Sequence, residues 1–137
     1  PEAEADAVEA APSRIERMHT VLIVDDDPDI THLLEVLLSG MGFRVRIVGD
    51  ATSAVESALA DPPDVLLVDV ELPGLSGNTA VFRLRAKGYR GHIVTLSATP
   101  TEEARKVALN AGANQYITKP IDIEQLARTM QRAVASS

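Results

Sequence analysis

The sequence predicts a protein of the α/β class, in which five strands alternate with five helices. Two observations support this prediction. Short runs rich in valine and isoleucine recur from residue 20 onward, and segments with helical periodicity or helix-capping residues separate them. Strands that alternate with helices form a parallel sheet covered on both faces, because each crossover connection is right-handed.

The predicted strands are short and mostly apolar. In chain order they are VLIVD (21–25), RVRIV (44–48), VLLVDV (65–70), HIVTLS (92–97) and QYIT (115–118). The third is apolar on both faces, as a central strand should be, whereas the second alternates and suits a sheet edge. We therefore expect a doubly wound, flavodoxin-like (βα)5 sandwich with strand order 2-1-3-4-5, whose switch point lies between strands 1 and 3.

The helices are predicted from capping residues and apolar periodicity. Asp27 is a good N-cap for helix 1, with Pro28 at its first position and Gly40 at its end. The apolar stripe of this helix is Ile30, Leu33, Leu34, Leu37 and Leu38. The signals for the other helices are Asp50 before 51–60, Gly88 after 77–87, a capping box at Thr99–Glu102, and another from Asp122 to Gln125.

Composition excludes several classes of protein. The formal net charge of −7 and the pI near 4.9 argue against direct binding of nucleic acid. The apolar runs are far shorter than the ~20 residues that cross a bilayer, so no membrane contact is expected. No secretory signal is visible and cysteine is absent, which is compatible with the cytoplasmic location that we expect.

The first nineteen residues differ from the rest of the chain. Residues 1–19 are acidic and rich in alanine without an apolar stripe, so we expect a solvated tail or linker, partly helical over 13–18. Residues 20–137 are expected to form one domain.

Polar residues stand where the predicted strands end, and parallel strands bring such residues to one edge of the sheet. These residues are Asp25 and Asp26 after strand 1, Asp69 and Glu71 after strand 3, Ser97 after strand 4, and Lys119 and Pro120 after strand 5. Clustered carboxylates repel one another unless a cation lies between them, and an oxygen-only site suits Mg²⁺. One carboxylate could then attack a phosphoryl group, while a lysine and a hydroxyl stabilise its oxygens.

From about residue 20 to 135 the chain resembles the receiver domain of two-component response regulators. The matching motifs are VLIVDDD, VLLVDVELPGLSG, IVTLSA and AGANQYITKP. The resemblance implies that Asp69 is the phosphoacceptor and that Asp26 and Asp69 bind Mg²⁺ together with the backbone carbonyl of Glu71. Asp25 would position a metal-bound water. The phosphoryl donor would be a histidine kinase or a histidine phosphotransfer protein.

The resemblance also implies a conformational switch. Ser97 would supply the switch hydroxyl, Lys119 would contact the phosphate, and Tyr116 would change rotamer on activation. The peptide bond between Lys119 and Pro120 would be cis. Such a domain is a signalling receiver and not an enzyme, although it assists its own phosphorylation and dephosphorylation.

Two positions depart from the commonest form of the family. Ser97 stands where threonine is more usual, and the loss of a methyl group predicts looser rotamer control. Glu71 places a fourth carboxylate near the phosphoryl group. We hypothesise that Glu71 tunes the lifetime of the phosphoryl group.

Two other functions remain open at this level. A phosphatase of the haloacid-dehalogenase type also uses an aspartate after a strand, and Asp25-x-Asp27 superficially fits its motif, although Pro28-Asp29 follows where that family usually has Gly-Thr. A receiver-like module that is never phosphorylated is the other alternative, but such modules usually lack an acidic residue or the lysine. Asp27 itself is better explained as a helix cap.

The sequence gives fewer signals about attached domains and partner proteins. The acidic leader and the absence of an initial methionine favour a C-terminal receiver attached to an upstream domain, as in a hybrid sensor kinase, over a stand-alone regulator. A histidine-bearing helix must approach Asp69. Ile30, Leu33 and the Pro120–Ile121 loop are therefore candidate contacts.

Overall fold

A computed structural model describes residues 18–135 of the 137-residue chain. Five strands alternate with five helices within this range. The strands are β1 (Thr20–Val24), β2 (Arg44–Val48), β3 (Val65–Asp69), β4 (His92–Ser97) and β5 (Gln115–Thr118). The helices are α1 (Pro28–Gly40), α2 (Ala51–Ala60), α3 (Gly77–Ala86), α4 (Glu102–Ala111) and α5 (Ile123–Ala135).

The strands form one parallel sheet in the order β2-β1-β3-β4-β5, which confirms the predicted fold. Every residue of β3 is buried, whereas β2 lies at an edge and keeps Arg44 and Ile47 exposed. This difference follows from position, because a central parallel strand is covered on both faces.

Two apolar cores lie on opposite faces of the sheet. The first packs α2, α3 and α4 on one face, with Ala54, Ala80 and Ala108 against the sheet. The second packs α1 and α5 on the other face, where Leu38 and Met130 are completely buried. Small residues dominate the helix side of the first core, so these helices lie close to the strands. Both faces of the sheet are therefore covered by helices.

Local capping signals place the starts of three helices correctly. The Asp27 side chain accepts a hydrogen bond from Asp29 N–H, and that of Asp50 accepts one from Ser53 N–H. Asp122 Oδ1 accepts from two backbone N–H groups at the start of α5. Each cap satisfies N–H groups that have no partner within the helix.

Two predictions about the helices were wrong in detail. Helix α4 begins after Thr101, whose side chain accepts from Ala104 N–H, so the cap is not Thr99. The carbonyl of Thr99 instead accepts the hydroxyl of Tyr116, which keeps Thr99 in the loop after β4. On α1, Leu33 is 46% exposed, because Leu34 and Leu38 define the face that meets the sheet.

The expected tail over residues 1–19 lies almost wholly outside the described residues, so this boundary stays a prediction. Among residues 18–135, no helix combines the length and the apolar character that a membrane crossing requires.

Candidate functional site

Strand register brings the predicted site residues together at the carboxyl ends of the strands, which form one end of the sheet. Val24 of β1 pairs with Val68 of β3, so Asp25 and Asp69 leave the sheet side by side. On the other side of β3, Val70 N–H donates to the carbonyl of Leu96 at 2.8 Å, which places the β3 end beside the β4 end. These backbone contacts position the side chains that follow.

Three carboxylates meet at this edge. Asp25, Asp26 and Asp69 each offer an oxygen, and the three oxygens lie within 4.8 Å of one another. Asp25 and Asp69 are buried, with 3% and 4% of their surface exposed, whereas Asp26 is exposed. The group is therefore open to solvent on the side of Asp26.

The environment of the Asp25 carboxylate indicates whether these three residues could bind a cation. Its Oδ1 accepts Asp27 N–H at 3.0 Å, but its Oδ2 is buried without a hydrogen-bond partner among the described residues. Burial raises the pKa of the Asp25 carboxyl, the charges of Asp69 and Asp26 raise it further, and the Asp27 N–H and Lys119 partly oppose this. A buried oxygen without a partner, among hard oxygen donors, is the environment that Mg²⁺ satisfies. The residues fit this ion.

Lys119 supplies the positive charge of the protein at this edge. Its Nζ lies 3.2 Å from Asp69 Oδ1 and 3.8 Å from Asp25 Oδ2. Its backbone N–H donates to the carbonyl of Ser97 at 2.7 Å, and its peptide bond to Pro120 is cis. The ammonium can therefore neutralise charge on either buried carboxylate and can reach a group attached to Asp69.

Ser97 is buried at the end of β4, and its side chain is hydrogen-bonded to Glu71. The Ser97 hydroxyl donates to Glu71 Oε2, and Ala98 N–H donates to Glu71 Oε1 at 3.0 Å. The Ser97 Oγ also accepts Thr99 N–H at 3.1 Å. The backbone N–H of Glu71 donates to Asp69 Oδ1 at 3.0 Å. Glu71 thus connects the Asp69 carboxylate with the Ser97 hydroxyl.

Sequence reasoning missed the role of Ala98 and the direction of the Glu71 side chain. The sequence placed the Glu71 carboxylate near the phosphoryl group, with the hypothesis that it tunes the lifetime of that group. In the structure the carboxylate accepts two hydrogen bonds from β4 and the loop after it. No local pattern signals this contact, because it depends on the register of Asp69 opposite Leu96.

Tyr116 and Asp27 do not belong to the group formed by Asp25, Asp26 and Asp69. The half-buried Tyr116 donates its hydroxyl to the carbonyl of Thr99, two residues beyond Ser97. Asp27 is exposed, and its side chain caps α1 by accepting Asp29 N–H, as expected from the sequence. The arrangement offers a buried carboxylate, a group of oxygens that fits a cation, a lysine and a hydroxyl, which are the kinds of group that phosphoryl transfer uses.

Comparison with known proteins gives a consistent result. A family model described as "Response regulator receiver domain" matches residues 21–131. The chain is 36% identical over 107 residues to TcrX of Mycobacterium tuberculosis, which is named as a probable transcriptional regulatory protein. The match covers 78% of this chain and 46% of TcrX. The chain therefore spans less than half the length of this relative.

Two solved structures are similar in fold and sequence. The receiver domain of sensor histidine kinase PA1611 from Pseudomonas aeruginosa, with a magnesium ion coordinated in its active site cleft, matches with a TM-score of 0.79 at 34% identity. That match covers 86% of this chain and 98% of the other. The BeF3-activated N-terminal receiver domain of RstA from Klebsiella pneumoniae matches with a TM-score of 0.78 at 27% identity, over 83% and 97% of the two chains.

Proposed function

The chain belongs to the response regulator receiver domains of two-component signalling, and on this premise we propose that Asp69 accepts its phosphoryl group. The observation that supports this proposal is the position of the Asp69 carboxylate. It is buried at the carboxyl end of β3, it shares an edge with Asp25 and Asp26, and Lys119 Nζ lies 3.2 Å from its Oδ1. Asp25 shares the burial and the carboxylate group, but its Oδ2 lies farther from the lysine nitrogen, at 3.8 Å.

The transfer is a displacement at phosphorus. A carboxylate oxygen of Asp69 forms a bond to the phosphorus of a phosphohistidine, and the phosphorus–nitrogen bond breaks. The electron pair of that bond returns to the imidazole, which leaves as the neutral ring after taking a proton. The product is an acyl phosphate on Asp69.

The residues around Asp69 provide charge stabilisation. Lys119 lies close enough to interact with a phosphoryl oxygen, and the Ser97 hydroxyl lies at the neighbouring strand end. We assign Asp25, Asp26, Asp69 and the backbone carbonyl of Glu71 to Mg²⁺. When bound, this ion supplies positive charge that offsets the carboxylates and the phosphoryl oxygens.

Loss of the phosphoryl group reverses the signal. In the proposed autodephosphorylation a water attacks the phosphorus, and the bond to Asp69 breaks with its electron pair returning to the carboxylate. Inorganic phosphate leaves, and the water proton passes to solvent. The geometry of Glu71, which lies between Asp69 and Ser97, makes it a candidate to influence the lifetime of the acyl phosphate.

The switch that we propose links Ser97 to Tyr116. A phosphoryl group on Asp69 recruits the Ser97 hydroxyl, and the loop over 98–101 then moves with it. Tyr116 is hydrogen-bonded to Thr99 in this loop, so a shift of Thr99 releases or redirects the ring. The surface around α4 and β5 would carry this change to a partner or an attached domain.

The proposed phosphodonor is a histidine kinase or a histidine phosphotransfer protein. Leu33 is 46% exposed near the start of α1 and Pro120 is exposed after β5, so both are available to a helix that approaches Asp69. An upstream domain in a longer chain and the cytoplasmic location expected from sequence both stay predictions.

Intact-mass measurement tests the assignment of Asp69. Incubation with acetyl phosphate and Mg²⁺ should add about 80 Da to the wild type, the mass of one phosphate. The Asp69→Ala variant should gain nothing, whereas Asp61→Ala, which removes an exposed carboxylate at the end of α2, should gain as much as the wild type. A gain in Asp69→Ala, or none in the wild type, would overturn the assignment.

A further inference from the structure

The carboxylate of Glu71 accepts hydrogen bonds from the Ser97 hydroxyl, which the proposed switch requires, and from the neighbouring Ala98 N–H. We propose that Glu71 is an internal ligand that holds the Ser97 hydroxyl and the Ala98 N–H in the unphosphorylated protein, and that phosphorylation must displace it. This inference rests on the proposed function, because it assumes phosphorylation of Asp69. It goes further by naming the group that competes with the phosphoryl oxygens.

The Glu71 carboxylate accepts two hydrogen bonds, one on each oxygen. Glu71 Oε2 accepts the Ser97 hydroxyl and Glu71 Oε1 accepts Ala98 N–H, so each carboxylate oxygen uses one donor of two consecutive residues. Ser97 is 1% exposed, which shields its hydroxyl from water. Hydrogen bonds to an ionised acceptor are about twice as strong as neutral ones. The Glu71 carboxylate is therefore held firmly at the end of β4.

The same residue is also tied to the phosphoacceptor. The backbone N–H of Glu71 donates to Asp69 Oδ1 at 3.0 Å, and Val70 N–H donates to Leu96 at 2.8 Å. These backbone bonds fix where the Glu71 side chain starts. The side chain then crosses from the β3 end to the β4 end, directly beside the position that a phosphoryl group on Asp69 would take.

Competition follows from the chemistry of the hydroxyl. Ser97 has one O–H hydrogen, so it cannot donate to Glu71 and to a phosphoryl oxygen at the same time. Its oxygen already accepts Thr99 N–H at 3.1 Å, which leaves the hydroxyl hydrogen as its remaining adjustable group. A phosphoryl group offers three strong acceptor oxygens and more charge than a carboxylate. It can therefore replace Glu71, but only after the two existing bonds break.

A simpler effect must be separated from this one. The negative charge of Glu71 could slow phosphorylation merely by repelling an anionic phosphodonor. Both Glu71→Gln and Glu71→Ala remove that charge, so repulsion alone predicts equal rates for the two variants. Displacement predicts a graded series, because Gln keeps one acceptor oxygen for Ser97 or Ala98 and Ala keeps none.

Phosphorylation rates distinguish the two explanations. With acetyl phosphate and Mg²⁺, Glu71→Ala should gain phosphate about tenfold faster than the wild type, the smaller end of what a charge-assisted bond contributes. Glu71→Gln should fall between them. In a Ser97→Ala background the acceleration by Glu71→Ala should be smaller than in the wild-type background, because only the bond from Ala98 N–H remains to be broken. Glu103→Ala, which removes an exposed carboxylate from the first turn of α4, should match the wild type.

The contact itself has a readout that needs neither metal nor phosphate. In amide NMR spectra of the unphosphorylated, Mg²⁺-free protein, the Ala98 amide proton should resonate downfield and should move upfield in Glu71→Ala. The Gly91 amide, which precedes β4 at the opposite edge of the sheet, should not move. An unchanged Ala98 signal would overturn the contact.

The outcomes separate this inference from the proposed function. Equal rates for Glu71→Gln and Glu71→Ala, or a Glu71→Ala rate at or below that of the wild type, would overturn the displacement and leave phosphorylation of Asp69 intact. The absence of any mass gain in the wild type would overturn the proposed function and the displacement with it. The graded series together with the Ala98 shift would support the inference.

Discussion

The ammonium nitrogen of Lys119 lies 3.2 Å from Oδ1 of Asp69. Lys119 follows the last strand of the sheet and Asp69 ends the central one, so the contact connects the ends of β5 and β3. The Asp69 carboxylate that receives this positive charge is buried, with 4% of the residue exposed. Asp25 follows β1, a neighbour of β3 in the sheet, and its Oδ2 lies 3.8 Å from the same nitrogen. One lysine thus offsets two buried carboxylates, so the edge carries an excess of negative charge.

Removal of the lysine charge should destabilise the protein. We expect Lys119→Met to lower the free energy of unfolding without metal by about 1–2 kcal/mol, because Asp25 and Asp69 lose their cation while partial exposure screens the loss. Lys106→Met, which removes an exposed lysine from α4, should change it by less than about 0.5 kcal/mol. Urea denaturation followed by circular dichroism measures both, and a Lys119→Met variant as stable as the wild type would contradict the expectation.

Removal of the buried acid should have the opposite effect. We expect Asp25→Asn to raise the free energy of unfolding without metal by about 1 kcal/mol, since a neutral amide replaces a buried charge and can donate to Asp26 or Asp69. The bond from Asp27 N–H survives, because the amide oxygen can still accept it. Stabilisation of the protein by Mg²⁺ should be lost in the same variant.

The exposed neighbour provides the matched control for this change. Asp26→Asn should leave the metal-free stability nearly unchanged, because Asp26 is already solvated, yet it should also weaken the response to Mg²⁺. Thermal unfolding with and without Mg²⁺ compares the two variants. Equal metal-free stabilities would show that burial of Asp25 carries no cost.

A close backbone approach should make one glycine irreplaceable. A Cβ at Gly77 would lie 2.2 Å from the carbonyl oxygen of Asp69, so Gly77→Ala must shift either α3 or the end of β3. We expect a loss of about 2 kcal/mol in stability and slower phosphorylation of Asp69. At Gly49 the same Cβ meets nothing within 4 Å, so Gly49→Ala should stay within about 0.5 kcal/mol of the wild type. Equal denaturation midpoints for the two variants would refute this.

Tyr89 should titrate well above the ordinary range. Its ring is 6% exposed and its hydroxyl donates to the Pro63 carbonyl at 2.7 Å, and burial raises the pKa of Tyr89 to about 12. In a Tyr116→Phe variant Tyr89 is the remaining tyrosine, so the ultraviolet absorbance of tyrosinate reports it alone.

The sign of the accompanying stability change follows from the same shift. Between the ordinary tyrosine pKa of 10.0 and a pH of about 12, the unfolded chain releases this proton and the folded protein keeps it. Stability should therefore fall as the pH rises through this window. Unfolding in urea should return the midpoint to the ordinary value, and a folded-state midpoint already at that value would contradict the burial effect.

Much of the fold follows from local signals in the chain. Asp27 and Asp50 cap helices because a short side-chain acceptor beside free N–H groups is a local arrangement. The alternation of polar and apolar residues over 44–47 indicated an edge strand, because such a strand is less completely covered than a central one. The start of α4 was placed wrongly for the complementary reason: Thr99 and Thr101 both suit a cap, and a contact from Tyr116 holds Thr99 in the loop.

The composition of the site was also accessible from the sequence. Residues that follow parallel strands reach a common edge whatever the details of packing, so Asp25, Asp69 and Lys119 could be grouped without coordinates. The side chain of Glu71 could not be placed in this way. Its bonds to Ser97 and Ala98 cross between two strands and depend on register and rotamer, which are properties of the assembled sheet. Tertiary structure therefore decided that this carboxylate accepts the Ser97 hydroxyl, because only the pairing of β3 with β4 brings the two groups within hydrogen-bond distance.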